Sequence, residues 1–561
     1  MKNFPLFSIF FLLFISIPRI EIIAQTATET LDASNSKITL NGTGLWGFNI
    51  DSEPNYQWPR NVNSQGPSPG LIFSGNLWFG GVNNDGDLKL AVKTTGTNTN
   101  SFRSGPLNAE GSISIEDSEN WNRQFKVDKA EIEAFQADFM DNQQLDDPIP
   151  ASILGWPGRD NPFFSTVHGF ELPNTSAGLA PFFDLDGDAV YDPNDGDYPL
   201  IKCADQAVWW VFNDMGNNSA IRMKMETQIL AYVYNSNISN IYNSSFYDVK
   251  HIYYGTEPLD STFFGIWLDP DLGCGEDDYI GCVPDENLAY VYNSDAVDGF
   301  DDGTCNGIST YEEAPILGLK LLEGPLNDQG ERLGMTSLVH YINGGSIPTP
   351  PANIVDPLQA NQFYKYMTGR KLDGSPYLNP ANQPTNFVFS DNPGDTPAGW
   401  SMCSEELSPI DVRILMSMGP MRLIPGAVNN MTFAVVVQPQ AELPCPDISD
   451  LIAAADLPVP NNEPGNLFCG LTVDTDEVNL LSTNLSVFPN PGSDQVNFLL
   501  SGSDSFITIR LYQMNGKLVR KEDNLNSTNI LLERNELPSG TYIYQVQTQS
   551  GNSFNGKIIL E

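Results

Sequence analysis

Asp184, Asp186, Asp188 and Asp192 stand at positions 1, 3, 5 and 9 of an acidic run that Asp195 and Asp197 extend. Calcium takes six to eight oxygen ligands, and alternate aspartates in a tight turn aim their carboxylates at one point. Gly187 lets the chain turn there. A second group, Asp269, Asp271, Glu276, Asp277 and Asp278, lies between and around Cys274 and Cys282. Carboxylates that dense repel one another unless a cation or full hydration relieves them. Ca2+ in a structural role is therefore the expected cofactor for both groups. The simpler readings are a hydrated acidic turn for the first and a cystine-held exposed loop for the second.

Other chemistry finds little support. The EF-hand pattern fails, because Ala189 takes the glycine position and Asp195 the place of the final glutamate. Asp269 and Asp278 are candidates for an acid/base pair of a glycosidase. The chain has three histidines, His168, His251 and His340, and no HExxH, which disfavours the zincin pattern. GxSxG occurs once, as Gly66-Pro67-Ser68-Pro69-Gly70, where a proline on each side of the serine disfavours the strand-to-helix nucleophile elbow of serine hydrolases. Gly42, Gly44 and Gly47 spell GxGxxG without a βαβ unit, and the segment 551–557 spells GxxxxGK with Ile558 in place of Ser or Thr; neither is a nucleotide site in that context. Trp46, Trp58, Trp78, Trp209, Trp210 and Trp267 suit either a sugar-stacking face or a core, and burial favours the core.

These residues need strands to hold them. Aromatic and β-branched runs predict strands at 206–214, 225–235, 245–255, 262–269 and 430–438, with a hairpin turning at residues 84–87. Trp209 and Trp210 then point to opposite faces of one sheet. Helical patterns are few: one after Asp128, with Glu131 completing a capping box, one near Phe363 and Tyr366, and one from about Asp447. The fold class is mainly β, a multi-stranded β-sandwich-like body with long loops and few short helices, plus a small C-terminal β-sandwich. Residues 25–440 form the acidic body and 441–484 a linker with Pro- and Asn-rich stretches. From Leu485 short alternating strands begin, with turn signals at Asn490-Pro491, Asn515-Gly516 and Ser539-Gly540.

Charge and targeting limit the partners. The chain of 561 residues carries 28 Lys+Arg against 70 Asp+Glu, a net charge of -42. Such a surface repels nucleic acid and anionic lipid. Lys2 and the apolar stretch 4–17 read as a secretory signal peptide spanning residues 1–24, too short for a comfortable membrane span. No later segment of the sequence is long and apolar enough to cross a bilayer. The seven cysteines, an odd number, then meet an oxidising compartment, and their spacing does not reveal the pairing.

The segment from Leu485 resembles the type A C-terminal sorting domain of the Bacteroidetes type IX, or Por, secretion system. Phe488-Pro489-Asn490-Pro491, Asn515-Gly516-Lys517, Ser539-Gly540-Thr541-Tyr542 and Gly556-Lys557-Ile558-Ile559-Leu560 carry the resemblance. It implies Sec export, engagement of the type IX machinery by residues 485–561, removal of the tail, and release or attachment at the outer surface. The body resembles a group of large secreted Bacteroidetes proteins of unknown function, through motifs around Trp78, Asp184, Trp209, Trp267 and Met416. The expected function is a secreted or cell-surface, calcium-stabilised binding or structural protein whose ligand is a glycan or another surface component. The alternative is a secreted polysaccharide-active or other hydrolase using body carboxylates.

Overall fold

The computed structural model describes residues 27–460 and 485–560, apart from 47–54, 61–67, 95–100, 174, 176–177, 218–219, 300–304, 306–308, 347–348, 440–441, 489–494, 501–504, 514–516, 523–524, 536 and 550–552. The expected signal peptide, most of the linker, and the turns at Asn490-Pro491 and Asn515-Gly516 lie outside the described residues. The chain divides into two compact units, 1–462 and 463–561.

The body is a sandwich of two large antiparallel sheets. One orders its strands as Thr28–Leu31, Lys37–Asn41, Tyr56–Gln57, Gly70–Val82, Leu259–Pro270, Val412–Leu423 and Ser337–Ile342, with Leu88–Ala91 also paired to Gly70–Val82. The other runs Asp278–Val283, Leu288–Asn293, Ile316–Glu323, Val428–Gln438, Ser244–Tyr253, Met225–Val233, Gln206–Asn213 and Arg103–Ser104, with Phe125–Asp128 on Gln206–Asn213. The strands expected from aromatic and β-branched runs all form. The hairpin forms too: Val82 pairs with Leu88, and Gly86 takes the positive φ of 85° that the turn requires.

The two sheets meet through rings. Phe79 on one packs edge-on to His251 on the other, with centroids 4.8 Å apart, and Trp46 packs on Tyr247 and Phe433. Gly75 allows this approach, since a Cβ there would stand 2.3 Å from the Trp46 ring. The six candidate tryptophans are all buried, none more than 5% exposed, so they are core rather than a sugar-stacking face. Trp210 donates to the Gly44 carbonyl, while Trp209 on the opposite face packs against Trp121 and Phe125. Gly44 itself sits against Asn76, a packing role for the chance GxGxxG. His251 is buried among rings, His340 is half-buried against Tyr377 and Phe389, and His168 is half-buried between the Gly155 carbonyl and Arg123.

The helices are short. Lys129–Asn142 starts after Asp128, yet the Asp128 side chain makes no capping hydrogen bond. The expected capping box is absent because Glu131 instead accepts from the Ser152 hydroxyl at 2.8 Å. A capping box does occur at Ala360–Met367, between Gln359 and Gln362. Ser449–Ala455 buries Leu451, Ala454 and Ala455, so the body's packed structure continues into the stretch read as linker. Disulfides join Cys274 to Cys305 and Cys403 to Cys445, Cys203 is also disulfide-bonded, and Cys282 is free and buried.

The second unit is a small antiparallel β-sandwich. Leu485–Phe488, Gln495–Leu500 and Asn529–Glu533 form one sheet. Leu518–Glu522, Phe506–Gln513, Gly540–Thr548 and Ser553–Leu560 form the other. Val496, Phe498, Phe506, Leu511, Val546 and Ile558 fill the space between.

Glu226 offers a test of the body's core electrostatics. It is fully buried on Met225–Val233, accepts from the Leu107 amide at 2.7 Å and from Gln228 at 2.8 Å, and burial pushes its carboxyl up to about 7. A carboxyl raised on folding binds its proton more tightly in the folded state, so its ionisation erodes stability as pH rises from about 4.5 to about 7. Glu226→Gln is expected to be destabilised relative to the parent at pH 5. By pH 8 that gap should close or reverse, by on the order of 1–3 kcal/mol, measured by urea unfolding at both pH values.

Candidate metal centres

The acidic loop is closed at its base by the paired two-residue strands Phe182–Phe183 and Tyr198–Pro199. Inside it the aspartates bend the backbone onto themselves. Asp184 accepts from the amides of Gly187 at 2.7 Å and Ala189 at 2.9 Å; Asp186 accepts from Asp188 and Asp188 from Val190. These turns bring one carboxylate oxygen each from Asp184, Asp186 and Asp188 within 4.8 Å of one another. Ala189 adopts φ 67°, the left-handed conformation a glycine would take most easily. Asp186 and Asp188 are exposed, which leaves open faces toward solvent.

The remaining aspartates of the run divide their roles. Asp197 is buried and braces the loop, accepting from Leu185 at 2.8 Å and Asp192 at 3.0 Å. Asp192 caps the short turn Pro193–Asp195 through the Asn194 amide. Asp195 is held above its usual range, chiefly by Asp192 and then by burial, Asp186 and Asp188, which places it within electrostatic reach of the converging trio. Six aspartates were candidates, and three converge.

The second group sits where the chain leaves one sheet for the other. Leu259–Pro270 ends in the first sheet, and Asp278–Val283 begins in the second. Asp269 and Asp271 converge not with Asp277 or Asp278 but with Asp411, again within 4.8 Å. Arg413 lies against them, 3.0 Å from Asp269 and 2.8 Å from Asp411. Burial, then Asp269 and Asp411, drives the Asp271 carboxyl well above its usual range. Glu276 is raised by burial and by Asp411. Asp411 and Arg413 went unnoticed in the sequence; the only signal was an Asp-x-Arg at a strand start in a chain poor in bases. Asp269 and Asp278 are each sealed from solvent, an arrangement that gives a sugar no access to either as an acid or base.

Residues 486–561 match the family model described as the secretion system C-terminal sorting domain. The chain is type IX secretion cargo. The tail sandwich described above is therefore the cargo's export signal, and its presence implies delivery to the cell surface or beyond. A stretch of 90 residues, 16% of the cargo, is 24% identical to an endo-acting ulvan lyase of Formosa agariphila. The match spans 17% of that enzyme's length. Among solved structures, an immunoglobulin-like β-sandwich protein of Bacteroides vulgatus is similar at 20% identity, over 14% of the cargo and 83% of its own chain, with a TM-score of 0.13. A polysaccharide lyase is similar at 9% identity, over 60% of the cargo and 34% of its own chain, with a TM-score of 0.17. Neither structural likeness carries an argument about the body.

Arg413 supplies positive charge to the Asp269, Asp271 and Asp411 group. Replacing one partner of a buried ion pair strands the others. Arg413→Leu is expected to cost roughly 3–5 kcal/mol in urea unfolding at pH 7.5. Much of that loss should return at pH 5, where the orphaned carboxyls take up protons.

Proposed function

We propose that this cargo is a non-catalytic binding or structural protein of the cell surface or extracellular space, stabilised by calcium. The observation that carries the reading is the convergence of Asp184, Asp186 and Asp188 in a self-braced loop. Oxygen-only ligands on a tight turn suit a hard cation. The burial of the candidate tryptophans supports a closed body rather than an aromatic cleft. A glycan or another surface component remains the proposed ligand class.

A second reading, a polysaccharide-active enzyme, draws support from one cavity of about 410 Å³ on the outer face of the larger sheet. Lys202, Lys250 and Arg332 line it, together with Asp248, which pairs with Lys202, and Glu323, which pairs with Arg332. Basic side chains gathered on one face of an acidic body suit an acidic sugar. Turnover of anionic polysaccharides that is lost in Lys250→Ala would favour this reading.

The test of the first reading is calcium titration of the purified protein after chelation, followed by thermal unfolding at pH 7.5. Saturating a native-state site at a hundredfold excess over Kd adds about 2.7 kcal/mol, so the Tm should rise by several degrees. Asp184→Asn with Asp186→Asn should remove much of that rise. An unchanged Tm together with no bound calcium by elemental analysis would refute it.

A further inference from the structure

The acidic stretch around Cys274 forms two halves with different chemistry. Asp269, Asp271 and Asp411 share Arg413. The other half, Asp277, Asp278 and Asp298, has no basic partner: among the described residues no ion pair reaches any of the three. Strand pairing sets Asp278 directly opposite Asn293. Directly opposed residues of an antiparallel pair project from the same face, so the Asn293 amide stands beside the Asp278 carboxylate. Both residues are 0% exposed.

Their hydrogen bonding is incomplete in a specific way. Asp278 Oδ2 accepts from the Leu272 amide at 2.9 Å, while its Oδ1 has no partner. Neither Oδ1 nor Nδ2 of Asn293 has one. Asp277, 2% exposed, accepts from Gly299 through Oδ2 at 2.6 Å, and its Oδ1 is likewise unpartnered. Asp298 is drawn into the same turn by the amides of Cys274, at 2.9 Å, and Tyr311. Buried polar atoms are almost always paired, and a buried carboxylate without a counter-charge is strongly disfavoured. A proton on Asp278 would relieve its charge but would leave the Asn293 amide N–H groups without an acceptor. A hydrated hard cation answers both needs: carboxylate and amide oxygens ligate it, and its waters accept from Nδ2.

We infer that Asp277, Asp278 and Asn293 hold a second, buried calcium ion, separate from the Asp184 loop and from the half neutralised by Arg413. This rests on the calcium reading above for the choice of metal. The ion would lie in the turn by which the chain passes between the sheets, beside the Cys274–Cys305 disulfide.

The experiment counts calcium per full-length chain by elemental analysis after dialysis against calcium-free buffer, and repeats the count by terbium luminescence. The wild type should hold one ion more than Asn293→Leu, and the Asp184→Asn/Asp186→Asn variant should keep the buried ion. Asn293→Asp guards against misfolding of the leucine variant: with an ion present it should fold and retain the metal, whereas a metal-free pocket would make the extra carboxylate lower the Tm. Three results would overturn the inference. One is a loop variant that holds no calcium, which leaves the loop reading standing. Another is a buried ion lost from Asp411→Asn but kept in Asn293→Leu. The last is Asn293→Asp with lowered Tm and no ion. A wild type without calcium would sink both readings.

Discussion

Carboxylates that this fold buries must be satisfied in a chain where 70 acidic residues face 28 lysines and arginines. Backbone amides meet most of that demand. Asp214, fully buried, accepts from the amides of Met223, Lys224 and Met225, and burial still lifts it to about 6. Asp197 braces the acidic loop through two amides, and Asp298 ties Cys274 to Tyr311 in the same manner. Arg413 is the exception, a guanidinium spent on Asp269 and Asp411. Where neither amide nor base suffices, uptake of a proton or of a hard cation can relieve the charge.

The sandwich makes such burial tolerable by supplying a dense aromatic core on both sides of the larger sheet. Trp209 and Trp210 point to opposite faces and both are covered. Large aromatic side chains contribute much apolar burial at little rotamer cost, so a body rich in long polar loops can still fold. Disulfides add to this. The Cys403–Cys445 bridge spans 42 residues and ties the approach to Ser449–Ala455 back to the body. In the chain-entropy account, loops of that size restrain the unfolded state by about 4 kcal/mol.

Acidity and export belong to different parts of the chain. The tail sandwich carries six basic and seven acidic residues over 485–561, so the large negative charge belongs to the body. No described helix is long and apolar enough to cross a membrane. A strongly anionic body resists self-association and binding to anionic surfaces. It also makes any bound divalent cation a large local charge.

Sequence alone determined the aromatic and β-branched strands, the 84–87 hairpin, the tail and the aspartates of the acidic loop. Period-two alternation, turn residues and alternate carboxylates are local patterns, and Asp184, Asp186 and Asp188 meet through turns only two or three residues wide. It also placed the helices near Phe363 and Asp447. It misjudged the capping box, because Ser152, far along the chain, competes for Glu131. Tertiary structure decided the rest. Asp411 reaches Asp271 because their strands pair across the sheet, a contact with no signature in spacing. Asn293 faces Asp278 through strand register, and the acidic stretch around Cys274 divides because the chain changes sheets within it. Local patterns reveal what a residue is suited to do, whereas burial and long-range pairing decide which partner compensates its charge.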